Sequence, residues 1–391
     1  MKFNCKYVLM YKWKAYNYLD VHETFLRMGY EVDIIEQELV SYDQDIEFSK
    51  RLCRILNQKK YDFMFTINYF GVISDICEQF HIPYVSWSCD SPLISMYHES
   101  VFNDCNYIFL FDKSNYLYFK SIGVKHIFHL PLAVDTRRID FVLENADDLK
   151  LYRNEISFVG SLYERNTYDK LIPTLTPYLQ GYFDSALEAQ LNVSGGNLLE
   201  RLLTDEICEM LQKYYRLEKT DRSFSSLKLV FATTVLGFKA AKEQRTRSLL
   251  GLAKKYPVSI YTNSNTHDLL RVTYRGSVDY FSQMPKVFHE SKINLNFTIP
   301  NIQSGIPLRV WDILAARGFL LTNYQPELEL YFDIGKDLVV FEDVAELEHK
   351  VSYYLEHDEE RREIAERGYQ KVKKYHSYKQ RIQQMMDLCS V

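Results

Sequence analysis

No strand-like stretch of this sequence runs into GxGxxG or GxxxxGK[ST], which argues against a Rossmann dehydrogenase and a P-loop enzyme. The ten histidines show no HExxH and no paired spacing, so His22, His81, His98 and His289 are read as structural or exposed rather than as metal ligands. Seven cysteines (Cys5, Cys53, Cys77, Cys89, Cys105, Cys208, Cys389) are scattered and odd in number, with no CxxC pair. A disulfide framework and a zinc site are therefore not expected, and a reducing cytoplasm fits. Positive charge is also short: 47 Lys and Arg against 52 Asp and Glu leave a net −5, so no broad basic field exists to hold nucleic acid. Long apolar runs are missing. The stretch around Leu227–Phe238 is broken by Lys228, Thr233, Thr234 and Gly237 and falls short of the ~20 residues of a membrane span. MKFNCKYVLMYKWKAY has too short an apolar core between its lysines for a signal peptide.

What is present is an ordinary globular composition, 47% apolar and 25% charged. At about 100–200 residues per domain, the 391 residues suggest two or three domains. Over the first 135 residues, strand-like segments (KYVLMY, Glu31–Ile35, YDFMFTI, Tyr84–Ser88, YIFLF, His126–Leu130) alternate with helix-like ones (Val21–Gly29, Ile46–Leu56, Val72–Phe80, Asn115–Ser121). That alternation implies parallel βαβ units with helices on both faces of the sheet. HLPLAVD reads as the exit and the acidic Glu144–Asp148 as a linker. A second alternating pattern starts at Ile156–Gly160. A helical region from about 167 to 255 interrupts it, and it resumes at Val258–Thr262, Ile293–Phe297, Phe319–Thr322 and Leu338–Phe341. Charged helices at Val344–His357 and Glu359–Met386 end the chain. The fold class is α/β: two Rossmann-like domains facing a cleft, residues 1–145 and 146–370, with a helical insertion in the C-terminal half and a final helix at 371–391. Ligands of such sheets sit beyond the carboxyl ends of the strands, so functional residues are sought there.

Four segments carry candidate chemistry. In SGIPLRVWDILAARGFLLTN (304–323), Ser304 and Gly305 form a loop, Pro307 suits a first helical turn and Gly318 the helix end. Arg309 and Asp312 share a face near the helix start, where free N–H groups and a guanidinium fork suit a diphosphate and a carboxylate suits a ribose diol. An i, i+3 salt bridge on a solvated face is the alternative. In ISFVGSLYERN, Gly160 lets the backbone approach a ligand and Ser161 can touch phosphate; a lone glycine after a strand is a weak signal, and an ordinary strand-to-helix turn is the better reading of these residues alone. In PYVSWSCDSP, Asp90 follows a strand, where a base for an acceptor hydroxyl belongs, or where an Asx turn or helix cap would sit. Asp112 has the same two readings, and Cys89 lacks a nucleophile pattern. In VSIYTNSN, Asn263 can read a nucleobase edge or serve a turn, with Gly276 as a second point of close approach.

Together, VSWSCDSP, YIFLFDKS, HLPLAVD, ISFVGSLYERN, INLNF and GIPLRVWDILAARGFLLTN resemble the CgeB-like, spore-maturation type of glycosyltransferase, within the glycosyltransferase family 1-like set of the GT-B fold. The resemblance covers about 1–165 and 255–391. It implies a nucleotide sugar, by preference a UDP sugar, on the C-terminal domain, an acceptor glycan or protein on the N-terminal domain, and a last helix that packs back on the first domain. By the same resemblance Arg309 contacts the diphosphate, Asp312 the ribose, Gly160 and Ser161 the phosphates and Asn263 the base. Many retaining members carry two glutamates eight positions apart; here the later position is Asp312 and the earlier is Ser304. The expectation is a metal-independent glycosyltransferase with Asp90 as base and Arg309 stabilising the leaving group, with no cofactor beyond the donor. An inactive GT-B scaffold in surface or spore-layer assembly, and an enzyme that epimerises or hydrolyses the nucleotide sugar, stand as the alternatives.

Overall fold

The alternation is realised as two parallel six-stranded sheets in a computed structural model, which describes residues 7–389. The first sheet takes β1 (Tyr7–Lys12), β2 (Glu31–Glu36), β3 (Phe63–Ile67), β4 (Tyr84–Trp87), β5 (Asn106–Leu110) and β6 (Ile127–His129), in the order β2-β1-β3-β4-β5-β6. β3 and β4 are buried at every residue, as expected of strands covered on both faces. Helices Tyr18–Arg27, Ile46–Gln58, Gly71–Phe80 and Lys113–Ser121 are its crossovers. Asp45 and Asp112 cap two of them, accepting from Phe48 N and Ser114 N.

The second sheet takes β7 (Asn154–Val159), β8 (Val258–Tyr261), β9 (Thr273–Tyr274), β10 (Ser291–Asn296), β11 (Leu320–Asn323) and β12 (Val339–Phe341), in the order β12-β11-β10-β7-β8-β9. Chain order reverses between β7 and β10, which makes that crevice the switch point of a doubly wound sheet. Ile156, Val258, Ile293, Leu295 and Leu321 fill its core with Leu249, Leu252, Leu347 and Val351 from flanking helices. Most of the helical stretch at 167–255 has its own core, built around Phe183, Leu199, Leu211, Phe231 and Leu236. It includes a π-helix at Phe231–Gly237 that feeds directly into the long helix Phe238–Ala253.

The chain divides into two compact units at points other than those the sequence suggests. One comprises residues 1–133, 218–225 and 376–391, the other 134–217 and 226–375. The acidic 144–148 stretch is not the boundary. Thr136–Glu144 is a helix of the second unit, capped by Asp135, whose carboxylate accepts from Arg137 N and Arg138 N. The C-terminal helix expected over Glu359–Met386 is two helices, Asp358–Tyr375 and Tyr378–Cys389. Ser377 and Gln380 form a reciprocal box that starts the second: Ser377 Oγ accepts from Gln380 N at 3.3 Å, and Gln380 Oε1 accepts from Ser377 N at 3.0 Å. The second helix packs in the first unit, with Tyr378 edge-on to Trp87 at 5.9 Å and Arg381 donating to Pro131 O at 3.1 Å. No helix among the described residues is long and apolar enough to cross a membrane.

Candidate functional site at the carboxyl ends of the strands

In the second unit the site grows from the switch point. β7 runs into Gly160, whose N–H donates to Tyr261 O at 3.1 Å, and then into exposed Ser161. β10 runs into Phe297 and Thr298. Arg245, on the helix Phe238–Ala253, joins the two strand ends: Nη1 donates to Ser161 O at 2.6 Å and Nη2 to Phe297 O at 2.7 Å. The residue is 8% exposed, Nε has no partner among the described residues, and the rings of Phe158 and Tyr163 lie 5.5 and 4.9 Å from the guanidinium. Burial lowers its pKa, and repulsion from Arg309 lowers it further against the opposing effect of Tyr163. Even so, an arginine remains cationic at any physiological pH. The guanidinium is thus a buried positive charge, hydrogen-bonded to carbonyls and not to a carboxylate.

Arg309 supplies the second positive charge. It stands in the first turn of the helix Leu308–Ala315, with Nη1 against Met284 Sδ and its guanidinium 5.5 Å from the Phe288 ring. It makes no ion pair among the described residues. The salt bridge to Asp312 that the spacing allows is absent. Asp312 is 2% exposed and accepts from Tyr280 OH at 3.0 Å, so the two side chains serve different neighbours. Pro307 is the residue before the helix rather than its first, with no side-chain cap; Val310 N donates to Pro307 O at 3.1 Å, and the N–H groups of Leu308 and Arg309 have no intrahelical carbonyl to bond. At the other end, Gly318 N donates to Ile313 O and Arg317 N to Leu314 O, a Schellman closure with Arg317 at φ 55°. Arg317, not Gly318, takes the left-handed conformation. Gly318 is glycine because a Cβ would lie 2.8 Å from both Phe288 O and Asn294 Nδ2.

The loop before that helix is locked from downstream. Ser304 Oγ donates to Glu327 Oε1 at 2.8 Å and Glu327 N donates to Ser304 O at 3.2 Å. Glu327 is 2% exposed, so a buried carboxylate does stand beside Ser304, and the Ser304 hydroxyl hydrogen is committed to it. Gly305 is buried behind the same latch. Asn296, Thr298, Thr322 and Asn323 interlock the ends of β10 and β11: Asn296 Nδ2 donates to both threonine hydroxyls, and Asn323 Oδ1 accepts from Thr298 N at 2.7 Å. Asn263 is exposed just beyond β8. Its neighbour Ser264 accepts from Leu162 N at 2.9 Å, which ties its loop to the one carrying Ser161.

In the first unit, Asp90 lies beyond β4, and Asn68, at φ 64° beyond β3, orients it. Asn68 Nδ2 donates to Asp90 Oδ2 at 2.6 Å while Asn68 Oδ1 accepts from Cys89 N at 2.8 Å. Asp90 is open to solvent on one side. The protein packed around the remainder of the carboxyl still raises its pKa, against the Asn68 amide, which lowers it. Asp112 is a helix cap, further held by Ser91 Oγ at 2.8 Å. Burial pushes the Cys89 thiol up, and Asp90 adds to that, which removes it as a nucleophile. His98 and His289 bond Ser100 Oγ and Ala316 O. No cluster of metal-ligating side chains occurs among the described residues.

Arg245, Asn68 and Glu327 escape a reading by motif. Arg245 leaves a trace: it shares the inward stripe of its helix with Ala241, Ser248, Leu249 and Leu252, where a charge has no place unless it is used.

Residues 240–387 match the model of a family described as glycosyl transferase-like. No curated protein matches the chain. Among solved structures, HepE of Anabaena in complex with UDP and glucose aligns over 98% of this chain and 99% of its own, with TM-score 0.56 and 9% identity. A UDP-forming α,α-trehalose-phosphate synthase from Burkholderia vietnamiensis aligns over 99% and 100%, with TM-score 0.56 and 12% identity. Sucrose-phosphate synthase from Thermosynechococcus elongatus aligns over 98% of both chains, with TM-score 0.54 and 10% identity. The two parallel sheets have the GT-B fold of these structures, and Arg245, Arg309 and Asp312 lie within the stretch that matches the glycosyl transferase-like model.

Proposed function

We propose that this chain transfers a sugar from a nucleoside-diphosphate sugar, a UDP sugar by preference, to an acceptor hydroxyl, and that it is of the CgeB-like type and works in the cytoplasm. The observation that carries this reading is the pair of neighbouring guanidiniums, Arg245 and Arg309, neither bonded to a carboxylate, beside the switch point of the second sheet. Two cations and a helix start without a side-chain cap make a receptor for a diphosphate. As the anomeric bond breaks, charge grows on the departing diphosphate, and donors already in place stabilise it without reorganising. Two fixed guanidiniums supply positive charge that a divalent ion would otherwise bring, which supports a metal-independent reaction. UDP-glucose, the nucleotide sugar bound in one of the HepE structures, is the first donor to test.

In this scheme Arg309 grips the diphosphate and Arg245 fixes the two strand ends around it while contributing charge. Gly160 and Ser161 give the phosphates close backbone access, Asp312 and Asn263 serve ribose and base, and the Ser304–Gly305 loop holds the helix start. Asp90, its basicity raised by the surrounding protein, deprotonates the acceptor, which corresponds to inversion at the anomeric carbon. A panel of labelled UDP sugars assayed with and without chelator tests the reading. Transfer that survives chelation and falls about 100-fold or more in Arg309→Ala supports it. Wild-type turnover in that variant discards it.

A further inference from the structure

The opposite edge of the second sheet carries a feature that the transfer reaction does not use. At the amino ends of β7, β8, β9 and β10 lies a cavity of about 620 Å³, within the usual range for a small-molecule site. Asn154, Ser259, Thr273 and Ser291 line its floor, each at or next to the first residue of its strand. The proposed donor site is at the carboxyl ends of the same strands, so a ligand here is separate from the donor.

The walls are cationic beyond what local pairing needs. Arg153 pairs with Glu290 at 3.1 Å and Lys292 with Glu155 at 2.9 Å. Arg361 and Arg362 share one carboxylate, Asp358, and hold it below the usual carboxylate range. Arg317 is met from outside the cavity by Asp140 at 3.1 Å. Arg275 makes no ion pair among the described residues. Apart from Arg317, five lining cations thus face three lining carboxylates. Arg361 is the fixed point, with its side chain 6% exposed and Nη1 held by Tyr354 O at 2.8 Å. Arg362, at 77%, and Arg275 are the exposed cations of the lining. Like charges left partly unneutralised around a polar concavity repel one another, and a compact multivalent anion removes that repulsion while accepting several charge-assisted hydrogen bonds.

We propose that this amino-edge cavity binds a compact polyanion, a phosphorylated small molecule. Titration calorimetry of the full chain with inorganic tripolyphosphate tests it, using wild type, the double variants R275E/R362E and R275Q/R362Q, and Arg309→Ala, all checked for unchanged circular dichroism. The expected result is a saturable component that weakens about tenfold or more in both double variants, persists in Arg309→Ala and fades with added salt. No saturable binding at millimolar tripolyphosphate overturns the proposal. So does binding that both double variants retain.

Discussion

Asp90 shows how far a single carboxylate can be read at the residue scale. Its place after an apolar strand is legible in PYVSWSCDSP, but its orientation is not. Asn68, at positive φ and just after a different strand, sets it, and no spacing in the sequence joins the two. The surrounding protein raises the Asp90 pKa, so the acid limb of kcat/KM should fall above the ordinary aspartate value of ~3.9, with activity lost as pH drops through it. Asp90→Asn should lower kcat by about 10²–10⁴-fold. A raised folded-state pKa contributes stability below the ordinary value, and that contribution is lost as pH rises through the raised one. An amide in place of the carboxyl does not titrate and has no such loss. Melting curves should therefore show the Asp90→Asn variant gaining on wild type as pH rises above the ordinary aspartate value of ~3.9, while its activity stays low throughout.

Elements with strong periodicity were the legible ones. β3, β4 and β10 fall within two residues of their expected spans, because an apolar strand encodes its own burial. β9, two exposed residues held by β8, has no such pattern, and the π-helix before Phe238 depends on packing within the helical stretch. That stretch is tied to the site by charge. Asp169, next to its cap Asn166, bonds Lys239 at 2.8 Å and Lys242 at 2.6 Å on the helix that carries Arg245. Burial alone would raise the Asp169 pKa, but the two lysines and Asn166 outweigh it and hold the group at about 2. Its contribution is therefore present above the unfolded value of ~3.9 and lost as pH falls towards 2. Asp169→Asn should cost about 1 kcal/mol at pH 7, after allowance for solvent screening, and progressively less between pH 4 and pH 2. Thermal melts across that range check it; a pH-independent difference would refute the linkage.

Across the whole molecule, the α/β class and its two Rossmann-like domains were legible because the βα alternation repeats twice, while the GT-B fold was implied by the family resemblance. The division into units was less so, since it depends on where the chain packs. Residues 218–225 lie in the first unit, with Arg222 bonded to Asp75 and Phe224 against Tyr97 at 5.7 Å, and no composition change announces it. The final helix belongs there too, and Tyr378, 1% exposed, is its anchor. Tyr378→Ala should destabilise the first unit by about 3 kcal/mol, read as a lower denaturant midpoint of Trp87 fluorescence. An unchanged midpoint would mean the helix contributes nothing to that core.

The central claim is that the Arg245–Arg309 pair forms a diphosphate receptor in the second unit. Calorimetric titration of UDP into wild type, Arg309→Ala and Arg245→Lys tests it most directly. The account predicts saturable binding to wild type and binding weaker by about tenfold or more in Arg309→Ala at an unchanged melting temperature. It also predicts weaker binding in Arg245→Lys, because an ammonium cannot bridge both carbonyls with a planar fork. Equal affinity in all three proteins, or no binding by wild type at millimolar UDP, would contradict it.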